Sequence, residues 1–367
     1  MARAHDAPEH GPGPLAGLRV CVKDVVDVRR LPTTAGSGGW SRAPERDASA
    51  VAALRAGGAR IVGKGHTNEF AYGIDGRNPH LPPCTNPWDP ERLCGGSSSG
   101  PAAAVAAGEA DIGMGTDTSG SLRVPAAFCG LYALRPTLGL ISTDGVIPLA
   151  PSLDVCGPLA RDPETLALAM TALAGWPSPP APGDPPARVG LYVAGGAEAL
   201  VAARLEVLGS EVLAVSLPDF AQAREVHRVI QSAEAAAVHD GELCDAAPYL
   251  SAEVRERLQT GRIVTAEQLA GARAAADAYR AAVLAVFDVV DVIVTPVTAF
   301  GAPLRNATEA GGLLLREALM RHVGPFSLLG APVLAVPAAL RDGLPLGVQI
   351  LARPGADREL IALALHL

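Results

Sequence analysis

The chain has 367 residues, 49% of them hydrophobic and 19% charged, with a formal net charge of −8. That is apolar material enough for a substantial core and too little charge for a disordered chain. No basic patch marks a nucleic-acid surface, no run of about 18 apolar residues marks a membrane span, and residues 1–14 lack the apolar stretch of a signal peptide.

Residues 1–16 read as a polar extension, and residues 18–28, rich in Val and closed by Leu31-Pro32, predict the first strand. A short helix over 48–56 ends at Gly57-Gly58 and leads to a strand over 60–63. This strand–helix–strand order predicts an α/β layer. Residues 77–92 hold several prolines and read as irregular loop. The small-residue run 102–107 predicts a helix, 112–114 a strand, and 131–136 the approach to another loop. A helix over 163–174 has Asp162 as its cap and Pro163 in its first turn. The Pro-rich stretch 176–186 is the best internal boundary. Beyond it the pattern predicts a strand over 188–193, helices over 198–208, 220–240 and 265–287, and a strand over 291–294. Strands over 333–336 and 346–351 and a helix over 358–367 complete the chain. The expected architecture is α/β, a central mixed, mostly parallel sheet covered by helices on both faces.

The six cysteines, Cys21, Cys84, Cys94, Cys129, Cys156 and Cys244, form no CxxC pair. They are expected to be small buried residues in a reduced, cytoplasmic setting, with neither a zinc site nor a disulfide framework.

The chemistry concentrates in two Gly/Ser segments, Cys94-Gly95-Gly96-Ser97-Ser98-Ser99-Gly100 and Gly115-Thr116-Asp117-Thr118-Ser119-Gly120-Ser121. Glycine costs folding entropy, so such clusters mark backbone that works at close range. Consecutive N–H groups in the second loop could bind an oxyanion, with Ser121 as a nucleophile or, alternatively, as a turn or cap residue. Ser97 could relay a proton or simply sit in a flexible turn. Lys23 lies in the first strand among Val20, Val22, Val25 and Val26. Burial there would favour a neutral amine usable as a base, whereas a strand-edge lysine would reach solvent or pair with Asp24 or Asp27.

Two rival motifs are weaker. Gly96-Ser97-Ser98-Ser99-Gly100 fits the nucleophile elbow with Ser98 central, but that elbow must follow a strand and 87–92 reads as loop. It also needs a later histidine, and His227, His239, His322 and His366 read as surface or satisfied structural residues. Gly58 to Lys64 mimics a phosphate loop, but Gly65 follows where Ser or Thr is needed, and 60–62 reads as strand.

Taken together, these segments resemble the amidase signature family. The resemblance is carried by Gly95-Gly96-Ser97-Ser98-Ser99-Gly100 and by the run from Gly115 through Ser121-Leu122-Arg123-Val124-Pro125-Ala126. It extends to Val20-Cys21-Val22-Lys23-Asp24, Leu31 to Ser37, Gly63-Lys64, Glu69 to Gly73, Asn86-Pro87-Trp88-Asp89 and Gly130-Leu131. It continues through Leu134 to Thr137, Ser152-Leu153-Asp154, Gly157-Pro158, Pro325-Phe326, Gly330-Ala331-Pro332 and Gly347-Val348-Gln349. It covers the chain from about Gly17 onward, weakly between about 176 and 295.

The resemblance implies that Ser121 is the nucleophile, Lys23 the ultimate base and Ser97 a bridging serine held by a cis peptide bond after Gly96. The backbone N–H groups of Thr118, Ser119, Gly120 and Ser121 would form the oxyanion hole. Ser98, Asp117 and Arg123 would support the loops. It also implies one amidase domain over 17–367: a catalytic core over 17–160, a variable pocket region over 187–300, and closing strands and a helix over 320–367. The expected activity is hydrolysis of a small linear carboxamide through an acyl-serine, without cofactor or metal. The glutaminase-type component of a tRNA-dependent amidotransferase and a biosynthetic acyl-transfer enzyme are alternatives within the family. The expected partner is a small amide, with no nucleic acid and no membrane, and a homodimer is left open. The chain departs from the family pattern at Ser119 (commonly glycine), Pro101 (commonly a small residue), Arg135 (commonly lysine) and Ser327 (often asparagine).

Overall fold

The computed structural model describes residues 2–3, 12–192, 209–240 and 249–367. The first half runs β1 (Ala2–Arg3), β2 (Arg19–Lys23), α1 (Ser49–Ala56), β3 (Arg60–Gly65), α2 (Ser99–Ala106), β4 (Ile112–Asp117), α3 (Arg123–Cys129), β5 (Tyr132–Arg135), β6 (Val155–Ala160) and α4 (Pro163–Ala174). The second half runs β7 (Arg188–Leu191), β8 (Glu211–Ala214), α5 (Phe220–His239), α6 (Ala252–Arg262), α7 (Ala266–Val286) and β9 (Val292–Pro296). It continues with β10 (Glu309–Ala310), β11 (Leu313–Leu314), α8 (Leu315–Met320), α9 (Gly324–Ser327), β12 (Val333–Arg341), β13 (Leu344–Leu351) and α10 (Asp357–Ala364). The expected helix over 198–208 and Cys244 lie outside the described residues.

Eleven strands form one sheet in the order β1-β3-β2-β4-β6-β5-β12-β13-β9-β7-β8, so the strands before and after the Pro-rich stretch 176–186 share it. The α/β architecture with a mixed sheet is as expected, but the balance of directions is not. Parallel pairing is confined to β2 with β3 and β4, and to β7 with β8 and β9. The other neighbours are antiparallel. The reason is local: β12 and β13 are a hairpin, and β6 runs back between β4 and β5.

Successive strand residues point to opposite faces. Val20, Val22, Ile112 and Met114 pack with Leu54 of α1, Leu166 of α4 and Ile361 of α10. Cys21, Ala133, Leu159 and Ala335 pack with Val105 of α2 and Phe128 of α3 on the other side. Lys23 is two residues beyond Cys21 and therefore belongs to the face of α2 and α3. A third cluster joins α5 and α7, through Ile230 and Val283, to Ile293, Val333 and Leu351.

Several ends follow from side-chain chemistry. Asp162 accepts from Thr165 N–H at 2.7 Å, and Gly175 closes α4 in the left-handed conformation. Thr265 and Gln268 form a reciprocal capping box that starts α7. The first strand stops earlier than expected, at Lys23, because Val26 N–H turns back to the Lys23 carbonyl at 3.0 Å. Strand β6 was not legible because Gly157-Pro158 reads as a turn signal. There the glycine is needed for close approach, since a Cβ on Gly157 would lie 2.2 Å from the Leu134 carbonyl oxygen.

Candidate active site

Lys23 ends β2, at the carboxyl end of its parallel ladder with β4, where such sheets commonly place ligands. Its Nζ lies 2.7 Å from Ser97 Oγ and 2.7 Å from Thr116 Oγ1, and Ser97 Oγ–H donates to Ser121 Oγ at 3.0 Å. Lys23 and Ser97 are fully buried and Ser121 nearly so. Burial lowers the Lys23 pKa from 10.5 to about 7, against the opposing pull of the negative charges on Asp117 and Asp154. A large fraction of the amine is therefore neutral near pH 7 and able to accept a proton. The three residues that the sequence singled out are thus joined in one chain of contacts.

The first loop is shaped by close approach. The Gly96–Ser97 peptide is cis. A Cβ on Gly96 would sit 2.2 Å from Asn68 Oδ1, so no larger residue fits. Ser98 binds the Thr116 backbone through its hydroxyl, donating to the carbonyl at 3.2 Å and accepting from the N–H at 3.4 Å. Its own N–H donates to the Ser121 carbonyl at 3.2 Å. Ser98 is therefore committed to fastening the loops together, which removes it as an elbow nucleophile. Residues 60–65 form strand β3, which disposes of the phosphate-loop resemblance.

The second loop is held by a buried charge network. Asp117 accepts from Arg123 Nε at 3.0 Å and from Arg135 Nη1 at 3.1 Å, all three side chains being fully buried. Burial alone would raise the Asp117 pKa, but the two guanidiniums outweigh it and hold the carboxyl below the ordinary range. Arg123 also reaches the Val323 carbonyl and Gln349 Oε1, both at 3.0 Å, and Ser327 Oγ at 2.9 Å. Arg135 reaches the Leu153 carbonyl at 2.8 Å. Two of the departures noted in the sequence, Arg135 and Ser327, thus belong to one network around Asp117.

The expected oxyanion hole needs a correction at Gly120. Its N–H donates to Asp117 Oδ1 at 2.7 Å and is already used, which leaves the N–H groups of Thr118, Ser119 and Ser121. Gly120 is still required, at φ 120°, because a Cβ there would lie 2.4 Å from Val323. Thr118 Oγ1 donates to Asp154 at 2.5 Å, and burial pushes the Asp154 carboxyl up to about 6.

The sequence reading missed His227. It is fully buried on α5, with Nε2 3.2 Å from Ser119 Oγ and 3.4 Å from the Thr118 carbonyl. Burial lowers its pKa to about 4, so it is neutral at neutral pH. Its Nδ1 has no partner, which favours the tautomer carrying hydrogen on Nε2 and donating to the loop. The signal available in the sequence was helical spacing, since His227 shares the buried face of Ala223, Val226 and Ile230. Thr116, which fixes the lysine, was likewise overlooked. Among the described residues no cluster of three or more His, Cys, Asp or Glu side chains could hold a metal ion.

A buried lysine, a cis-peptide serine and a second serine in contact, beside backbone N–H groups on a mixed α/β sheet, form an arrangement suited to amide-acting serine enzymes. The family model described as "Amidase" matches residues 1–198 and 193–361, and the chain belongs to the amidase signature family. It is similar to the A component of glutamyl-tRNA(Gln) amidotransferase of Thermus thermophilus, 38% identical over 96% of this chain and 84% of that one. It is also similar to AtzE, a component of the 1-carboxybiuret hydrolase of Pseudomonas sp. strain ADP, 34% identical over 93% of this chain and 81% of that one. A solved structure described as "Crystal structure of amidase" superposes with a TM-score of 0.88 at 35% identity, covering 96% of this chain and 84% of that one.

Proposed function

We propose that the protein hydrolyses a small linear carboxamide through an acyl-enzyme on Ser121. The observation that carries this reading is the buried chain of contacts from Lys23 Nζ through Ser97 Oγ to Ser121 Oγ, at 2.7 and 3.0 Å. As Ser121 Oγ attacks the amide carbon, its proton passes to Ser97 and the Ser97 proton passes to neutral Lys23. The oxyanion accepts from the free N–H groups of Thr118, Ser119 and Ser121. The tetrahedral intermediate collapses, and the leaving nitrogen takes a proton back through Ser97. Water then repeats the sequence on the ester and releases the acid. Hydrolysis of a panel of primary and substituted amides by the purified chain tests the reading. Turnover should be lost in Ser121→Ala, and a fluorophosphonate should label Ser121 in the parent protein. Full activity of Ser121→Ala would overturn it.

A second reading is the glutaminase-type component of an amidotransferase, which draws support from the name of the Thermus thermophilus relative. It expects glutamine hydrolysis only in the presence of partner proteins. Turnover of simple amides by the chain alone favours the first reading.

A further inference from the structure

The N–H groups of Thr118 and Ser119 belong to two successive peptide units that meet at the Thr118 Cα. Both units are trans, so each N–H points away from the carbonyl of its own unit. A donor placed on that carbonyl therefore aims the N–H toward the opposite side. The Asp117 carbonyl, which shares a unit with the Thr118 N–H, accepts from Arg135 Nη1 at 2.5 Å. The Thr118 carbonyl, which shares a unit with the Ser119 N–H, faces His227 Nε2 at 3.4 Å.

Between the two units the backbone keeps only two soft rotations, the φ and ψ of Thr118. Holding the Thr118 side chain restrains both, since a β-branched residue is stiff at χ1. Thr118 Oγ1 donates to Asp154 Oδ1 at 2.5 Å, a length typical of a hydroxyl bound to a carboxylate. The other oxygen of Asp154 accepts from the N–H groups of Leu149 and Ala150 at 2.8 and 3.0 Å. The turn that carries Asp154 is itself anchored. Ser152 donates to Glu234 on α5, from its N–H at 3.0 Å and from its hydroxyl at 2.7 Å. The Leu153 carbonyl accepts from Arg135 Nη2 at 2.8 Å. Arg135 and α5 therefore hold both the carbonyls on either side of the Thr118 Cα and the turn that presents Asp154.

We propose that Asp154 is a positioning residue for the acyl transfer: by fixing the Thr118 side chain it locks the joint between the two peptide units whose N–H groups receive the oxyanion. This rests on the reading of Ser121 as the acyl acceptor. The hydrogen bonds of Asp154 go to Thr118, Leu149 and Ala150 and not to Lys23, Ser97 or Ser121, so it acts through Thr118. Its negative charge also acts on Lys23. A variant that removes the carboxylate thus changes two things at once, whereas one that removes only the Thr118 hydroxyl leaves the carboxylate in place.

The test compares Thr118→Val, which keeps the shape of the side chain and loses the hydroxyl, with Thr118→Ser, which keeps the hydroxyl. On the amide that the parent protein turns over fastest, Thr118→Val should lower kcat about tenfold with KM within about threefold, and Thr118→Ser should keep kcat within about threefold of the parent. Labelling of Ser121 by a fluorophosphonate, whose phosphoryl oxygen takes the oxyanion position, should slow in Thr118→Val by a similar factor. Asp154→Ala should lower kcat at least as much. Adding Thr118→Val to it should then cost about twofold or less, because the hydroxyl has no carboxylate left to reach. If Asp154→Ala does not fold, the two Thr118 variants decide the matter by themselves. Parental kcat in Thr118→Val, an equal loss in Thr118→Val and Thr118→Ser, a loss confined to KM, or a further tenfold loss on the Asp154→Ala background would overturn the proposal, while amide turnover by the parent keeps the amidase reading. A parent protein that turns over no amide and resists the fluorophosphonate at Ser121 overturns both.

Discussion

The loops around Ser97 and Ser121 and the helices α6 and α8 treat charge in different ways. In the loops, Asp117 is matched by Arg123 and Arg135, and the loop glycines fill places where a Cβ would collide. On α6 and α8, Arg257 is committed to Glu253, while Arg316 has no hydrogen bond or ion pair among the described residues and feels the Glu253 and Asp75 charges only without contact. A buried network in which the carboxylate is matched by two guanidiniums is rigid and suits a reaction common to many substrates. The difference separates loops held by matched buried charges from helices whose charges are only partly matched.

The comparison breaks most visibly in the loops. Ser121→Ala and Lys23→Ala should each lower kcat/KM by at least about a thousandfold, with far-ultraviolet circular dichroism unchanged. A loss of only a few fold would remove either residue from the relay. Asp117→Asn would leave two buried guanidiniums without their carboxylate and should cost about 3–5 kcal/mol in denaturant unfolding, together with activity. A neutral effect would mean that the network does not hold the loop. His227→Leu tests the junction between the two regions and should lower kcat about five- to tenfold with little change in KM, by loosening the donors of Thr118 and Ser119. Ser119→Gly should have the smallest effect, about threefold or less, because glycine can take the same loop backbone.

What could be read from the sequence follows this division. Lys23, Ser97, Ser98, Asp117, Ser121 and Arg123 lie in continuous motifs, so adjacency in the chain reveals the site. His227 comes from a separate helix, and its contacts with Ser119 and Thr118 depend on tertiary packing. Helix α3 was not read from the sequence because it is buried all round and shows no polar face. Helix α6 was missed because it is strongly polar, although Ser251 caps it by accepting from Val254 N–H at 3.3 Å. The excess of parallel pairing expected from the early strand–helix–strand order did not extend to the middle of the sheet, where hairpin returns set the direction. The fold class was therefore readable, while strand directions and the place of His227 needed long-range contacts.

The central claim is that neutral Lys23 activates Ser121 through Ser97, and the rate of Ser121 labelling by a fluorophosphonate as a function of pH tests it most directly. Because burial lowers the Lys23 pKa to about 7, the amine gains a proton as pH falls below that value and can no longer accept one from Ser97. The labelling rate should rise with pH through a midpoint near 7 and level off above it, and Lys23→Ala should abolish that step and leave only slow labelling. A rate that is flat across this range, or that keeps the same midpoint in Lys23→Ala, would contradict the account.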